Sequence, residues 1–172
     1  LEFRRVLFRS NAVQDALRQL ASFLSQIAQA YVDAGADFIT IHEMGGSPGF
    51  VGPKPFESMI LPALQYLTSS LPCPSVLSVC GKADAALELL ANSGASAISV
   101  DQVTNLQAAR AALKDVMLFG NINPVATLCQ GDEAQVADAV VGAKEAGVDA
   151  VWPGCDLVIQ SPTANIRGML NA

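Results

Sequence analysis

"VLSVCGKA" (Val76–Ala83) reads as a buried β-strand that runs into a glycine turn, with Cys80 at its lip. The run is apolar without strict alternation, as expected of a parallel strand covered on both faces. Its strand portion is Ser75–Val79, and four other runs share the pattern: Phe38–Ile41, Ala97–Val100, Val116–Phe119 and Ala150–Trp152. Between them the spacing predicts helices over Pro55–Leu67, Ala83–Asn92, Leu106–Leu113 and Glu133–Ala146. A longer amphipathic helix, Asn11–Ala34, precedes the first strand, with Ala16, Leu20, Phe23, Leu24, Ile27 and Tyr31 at helical spacing. "DAGAD", "NSGAS" and "EAGVD" each close a helix at glycine and pass at once to the next strand, Gly35 being the first such cap. Repeated βα units give the α/β class with a parallel sheet, either a doubly wound open sheet or part of a (β/α)8 barrel.

Composition narrows the function classes. Of 172 residues, 51% are apolar and 15% charged, so the chain can bury a core and is not of the disordered type. No apolar run approaches the roughly 20 residues that span a bilayer, so no membrane partner is expected. A net charge of −6 argues against a nucleic-acid surface. The four cysteines, Cys73, Cys80, Cys129 and Cys155, are widely spaced and suit thiols or metal ligands in a cytoplasmic protein better than a disulfide framework. Cys73 and Cys129 are expected to be small buried hydrophobes.

The first ten residues stand apart. "LEFRRVLFRS" holds three of the ten basic residues and back-translates in frame to a common short-read sequencing adapter. Residues 1–10 are therefore expected to be an artefact; residues 11–172, with about five βα units, suit the C-terminal portion of an incomplete barrel, with the doubly wound sheet still open at this point.

In either architecture chemistry collects at the C-terminal ends of the strands. Those ends read "IHEMGGS", "SVCGK", "SVDQ", "FGNINP" and "WPGCD". They carry the one histidine, His42, with Glu43; then Cys80; Asp101; Asn121 and Asn123; and Cys155 with Asp156.

The segments "VLSVCGKADAALELLANSGASAISVDQ", "VMLFGNINPVATLCQG" and "DAVWPGCDLVIQSPTANIRGML" resemble the uroporphyrinogen decarboxylase superfamily. Within it they are most similar to the corrinoid-dependent branch of methylcobamide:coenzyme M methyltransferases. The resemblance runs from about Asp33 to the end and rests on G-N-I-x-P followed by P-G-C and P-x-x-N. It implies a (β/α)8 barrel. It also implies a zinc site, since the methyltransferases use a His-x-Cys pair and a later cysteine, whereas the decarboxylases have no cysteine in the P-G-C position. Carried over, the cysteines are Cys80 and Cys155, and the family's histidine falls on Ser78. Asp101 is the expected carboxylate ligand, and His42 is a further candidate from another strand.

The implied activity is transfer of a methyl group from a methylated corrinoid, carried by a separate protein, to a small acceptor such as coenzyme M or tetrahydrofolate. His42, Glu43, Asp101 and Asn121 are the candidate catalytic residues, and Ser78 and Asn123 the candidate cofactor contacts. Two alternatives remain: a lyase decarboxylating a porphyrinogen, and a barrel that has lost catalysis.

Overall fold

Five parallel strands pair strictly in chain order: β1 (Ile39–Glu43), β2 (Ser75–Val79), β3 (Ala97–Val100), β4 (Met117–Ile122) and β5 (Ala150–Pro153). The computed structural model describes residues 11–171, so the expectation for residues 1–10 lies outside them. Sequential order is the signature of a barrel sheet. A doubly wound sheet would reverse order at a switch point, and this one does not. The architecture is thus the barrel type, five strands of it.

The helices are α1 (Asn11–Asp33), α2 (Leu61–Ser69), α3 (Leu87–Ala91), α4 (Leu106–Ala112), α5 (Glu133–Glu145) and α6 (Thr163–Asn171). Local chemistry sets several starts. Asp132 and Gln135 form a reciprocal capping box on α5, and the Asn105 side chain accepts from the Ala108 amide at the head of α4. The expected helix Pro55–Leu67 forms within one helical run over residues 53–69, which is π-helical over Phe56–Ile60 before continuing as α2, and the separate turn Pro48–Val51 precedes it. Pro62 has no amide donor, so the ordinary α-helical ladder is interrupted at that point. The expected helix from Ala83 likewise opens as a 3-10 turn, Asp84–Ala86.

Alternation along each strand separates two faces. Leu77, Val79, Ile98, Val100 and Leu118 point outward and join Phe56, Leu61, Leu64, Leu87, Leu90 and Leu113 in the main core. Each such fully buried large side chain contributes about 1.5–3 kcal/mol. The opposite, interior face carries Ser78 and Cys80 on β2 and just past it, Ser99 and Asp101 at β3, and Phe119 and Asn121 on β4.

α1 forms where the spacing predicts it, ending one residue early. Much of its apolar stripe is turned out, with Leu20 51%, Phe23 58% and Tyr31 61% exposed, while Ala21 and Ala28 are the buried residues of the helix. α1 packs on α2, and alanines permit the closer approach of two backbones. Cys73 and Cys129 are half-buried rather than core residues.

At the N-terminal edge of the sheet the "EAGVD" turn is fastened by charge. Asp149 accepts from the Leu118 amide at 2.8 Å and from Arg110 Nη1 at 2.7 Å. Arg110 also donates to the Leu113 and Val116 carbonyls, tying the end of α4 to β4. The Leu118 amide, and then Arg110, hold the Asp149 carboxyl below its ordinary value against some desolvation. A lowered carboxyl favours the fold above the unfolded-state range, and that contribution fades as pH falls through it. Asp149→Asn should therefore cost about 0.5–1 kcal/mol at neutral pH, since the pair is partly exposed. Denaturation at a series of pH values should show the gap closing below about pH 4.

Candidate metal centre

Three donor groups converge at the C-terminal edge of the sheet from three strands. One ligand atom from each of Cys80, Asp101 and Cys155 lies within 4.8 Å of the others, the sole such group among the described residues. The two sulfurs are 3.0 Å apart, and neither is in a disulfide. Tetrahedral zinc with Zn–S near 2.3 Å separates two thiolates by about 3.8 Å, so a small opening of the pair admits the ion.

Each ligand is placed by its neighbours. Cys80 follows β2, and its amide donates to the Glu43 carbonyl, which extends the ladder by one residue. Gly81 then takes φ +82, a left-handed turn suited to glycine, and its amide donates to Asp101 Oδ2 at 2.8 Å. Asp101 Oδ1 accepts from the Val103 amide at 3.1 Å. With both oxygens anchored, each still has a lone pair to offer a cation. Cys155 is brought in by Gly154: a Cβ on that residue would lie 2.6 Å from the Gln102 backbone nitrogen, so only glycine lets the end of β5 press against the loop after β3.

The electrostatics favour a cation over a lone nucleophile. Burial first, then the hydrogen bond with Cys155 and the negative charges of Cys155, Asp101 and Asp156, push the Cys80 thiol up to about 12. Such a thiol is neutral at pH 7 and a poor nucleophile. A divalent cation reverses that balance, because the same crowded negative charges become its ligands.

The other expected residues lie around this cluster or apart from it. Ser78 is buried on the interior face, two residues before Cys80, and pairs in register with His42 on one side and Ser99 on the other. His42 is in β1 rather than after it, is exposed, and sets Nδ1 3.7 Å from Asp156 Oδ1. It is not part of the three-ligand group. Glu43, also within β1, binds the Gly46 amide through Oε1 at 2.7 Å and so fastens the loop that follows. Burial raises its carboxyl above the ordinary value, although the Gly46 bond pulls the other way. A raised carboxyl stabilises the fold only in acid and loses that contribution as pH rises through its folded value. Glu43→Gln keeps the acceptor without the charge, so thermal melts should show it more stable than wild type at pH 7 and equal to it below about pH 4.

Asn121 lies inside β4 and donates to the Asp101 and Thr104 carbonyls, both at 3.0 Å, which fixes the loop holding Asp101. Asn123 accepts from the Val125 and Ala126 amides and caps the helical turn Pro124–Cys129. Asn165 of the P-x-x-N motif is buried and donates to the Leu128 and Gly131 carbonyls, so α6 clamps that same turn. Spacing alone did not reveal Gly154, Ser99 or Gln102 as neighbours of the ligands. The "PGC" tripeptide held the one available signal for Gly154.

Comparison with known proteins bears on the fold and the family. A structure described as a methyltransferase from Methanosarcina mazei superposes with a TM-score of 0.89 at 25% identity, covering 98% of this chain and 51% of that one. Methylcobamide:CoM methyltransferase MtbA of Methanosarcina acetivorans is 31% identical over 168 residues, 95% of this chain and 50% of the relative. MtaA of Methanosarcina barkeri is 31% identical over 147 residues, 84% and 43% of the two chains. A uroporphyrinogen decarboxylase of Tolumonas auensis is 33% identical over 135 residues, 72% and 36% of the two chains. The chain thus spans about half the length of the MtbA and MtaA relatives it matches. The family description Uroporphyrinogen decarboxylase (URO-D) fits residues 2–172, and with the parallel barrel sheet in sequential order it places the chain in the uroporphyrinogen decarboxylase family.

Proposed function

We propose that the protein is a corrinoid-dependent methyltransferase that binds zinc through Cys80, Asp101 and Cys155 and passes a methyl group to a small thiol or similar acceptor. The observation that carries this is the convergence of two thiols and a carboxylate at the functional edge of the sheet. Two thiolates and a carboxylate suit zinc and leave a fourth position open for an exchangeable ligand. When bound, zinc supplies the positive charge that keeps an acceptor thiol deprotonated at neutral pH.

The chain's own residues do the rest. Asp101 is held ready by the Gly81 and Val103 amides, so little reorganisation accompanies ion capture. Asn121 keeps the Asp101 loop in place. His42, at the exposed rim with Asp156 beside it, takes up the proton that the acceptor thiol releases and returns it to water. Glu43 acts by positioning the Gly45–Gly49 loop over the mouth. Ser78 contacts the bound ligand from the interior face, and Asn123 shapes the rim on which the corrinoid of a partner protein rests. Coenzyme M and tetrahydrofolate remain the acceptor classes to compare. No helix among the described residues is long and apolar enough to cross a membrane, and a cytoplasmic location goes with this proposal.

The test follows methylcobalamin absorbance in the presence of each acceptor, with the whole protein zinc-loaded and chelator-stripped, because this chain spans about half the length of its methyltransferase relatives and is expected to be inactive by itself. Demethylation that depends on zinc is the expected result. Equal rates without metal would overturn the zinc assignment, and no methyl transfer to any acceptor would overturn the class.

A further inference from the structure

Cys80 and Cys155 stand between two distances. Their sulfurs are 3.0 Å apart, closer than the roughly 3.8 Å that a shared zinc ion would set and about 1 Å outside the roughly 2.05 Å of a disulfide bond. All four cysteines are free thiols, and these two are the pair whose sulfurs meet.

The surroundings favour a joined, neutral pair when no cation is held. Cys80 is 6% exposed, the Asp101 carboxylate belongs to the same cluster, and Asp156 follows Cys155 in the chain. Two thiolates would crowd further negative charge into that space, whereas a disulfide carries none. Closing the gap orphans nothing. Asp101 keeps the Gly81 and Val103 amides as donors, and the Cys80 amide keeps the Glu43 carbonyl. The Cys80 backbone is thus tied to the ladder, and the remaining approach of about 1 Å falls to Cys155, in the bend after β5. Access also differs. Cys155 is half-buried and Cys80 is buried, so an oxidant from solution meets Cys155 first.

We propose that Cys80 and Cys155 are a reversible redox pair, which a hydroperoxide joins as a disulfide and which in that state cannot hold a metal ion. With hydrogen peroxide, the O–O bond breaks as Cys155 becomes a sulfenic acid, and one water leaves. The Cys80 sulfur then attacks the Cys155 sulfur. The S–O bond breaks, the S–S bond forms, and the oxygen departs with the Cys80 proton as a second water. Each sulfur gives up one electron, and the two peroxide oxygens are reduced. Cys80 is a poor nucleophile toward a molecule from solution, but this step is intramolecular and its reacting atoms are already in contact. A disulfide sulfur has no thiolate charge to offer a cation, so oxidation removes two of the three ligands together. Only that last consequence rests on the metal reading above; the disulfide itself needs the two thiols alone.

The test takes the whole protein, reduced and stripped of metal, treats it with hydrogen peroxide and maps its peptides by mass spectrometry without reduction. A Cys80–Cys155 cross-link that dithiothreitol reverses is the expected result, and Cys73→Ser should form it as wild type does. The cross-linked protein should bind zinc at least about a hundredfold more weakly than the reduced protein. Zinc-loaded protein should release its ion to a chromophoric chelator in step with cross-linking. No cross-link, or Cys155 carried on to sulfinic acid while Cys80 stays a thiol, would overturn the pair. Cross-linked protein with undiminished zinc affinity would overturn the exclusion of metal. Reduced protein that takes up no zinc would overturn the metal reading alone, and the cross-link in the metal-free protein then still decides the redox pair.

Discussion

Cys80→Ser is expected to leave the protein without stoichiometric zinc. Groups that merely orient a metal ligand cost 10–100-fold in affinity when removed, so loss of a thiolate ligand should exceed about a hundredfold. Cys80 also stands at the centre of the cluster, hydrogen-bonded to Cys155 and closed in by Asp101. Serine preserves most of the volume, and the outward core formed by Leu77 and Val79 is untouched. The variant should therefore fold and fail only in binding. Elemental analysis together with chelator competition reads the effect, with Cys73→Ser as the matched control, because Cys73 precedes β2 at its opposite end and lies outside the group. Undiminished zinc in Cys80→Ser would place the ion somewhere other than this edge.

Gly154→Ala is expected to damage both stability and binding. The added carbon would sit 2.6 Å from the Gln102 nitrogen and 3.1 Å from the Gln102 Cβ, and the backbone atom has no rotamer by which to yield. Forcing one extra carbon into such a contact costs about 1–3 kcal/mol. For a chain of this size that corresponds to a fall of about 3–8 °C in the melting midpoint. The strain is relieved by moving the end of β5 outward, which carries Cys155 away from Cys80, so zinc content should drop in the same preparation. A variant with an unaltered midpoint and full zinc would show that close packing of Gly154 is not what sets the distance between the sulfurs. Gly142→Ala, in α5 with nothing within 4 Å of the added Cβ, gives the comparison and should raise the midpoint slightly, since alanine favours a helix interior over glycine.

The sheet was legible because strands covered on both faces are written as unbroken apolar runs, which few other structures need. All five runs are strands, but their ends moved. His42 and Glu43 lie inside β1, and Asn121 lies inside β4. A polar side chain does not stop its backbone from joining the ladder, so polarity marked these ends too early. α1 was legible as a helix, but its buried face was not. Periodicity found an apolar stripe, but the face buried against α2 is the one with the smallest side chains. Spacing measures which residues share a face, not which face a neighbour covers.

The candidate site divides along similar lines. Cys80, Asp101 and Cys155 could be named because reactive side chains at the ends of parallel strands have little structural reason to be there. His42 was a candidate ligand on the same grounds, yet it meets Asp156 instead, since its strand presents it at the rim. Asn123 does what local chemistry favours in an Asn-Pro pair, and caps the turn that follows.

The three ligands come from β2, β3 and β5, with β4 interposed, and Cys80 and Cys155 are 75 residues apart in the chain. A contact of such long range cannot form until the intervening units are in place. On the zinc reading, metal capture would therefore serve as a clock for the docking of β5. In refolding from denaturant, backbone circular dichroism should recover first, and the ion should be taken up only as β5 docks. Excess zinc would then leave the early signal unchanged and slow only the unfolding arm, because it rewards a contact that the transition state has yet to make.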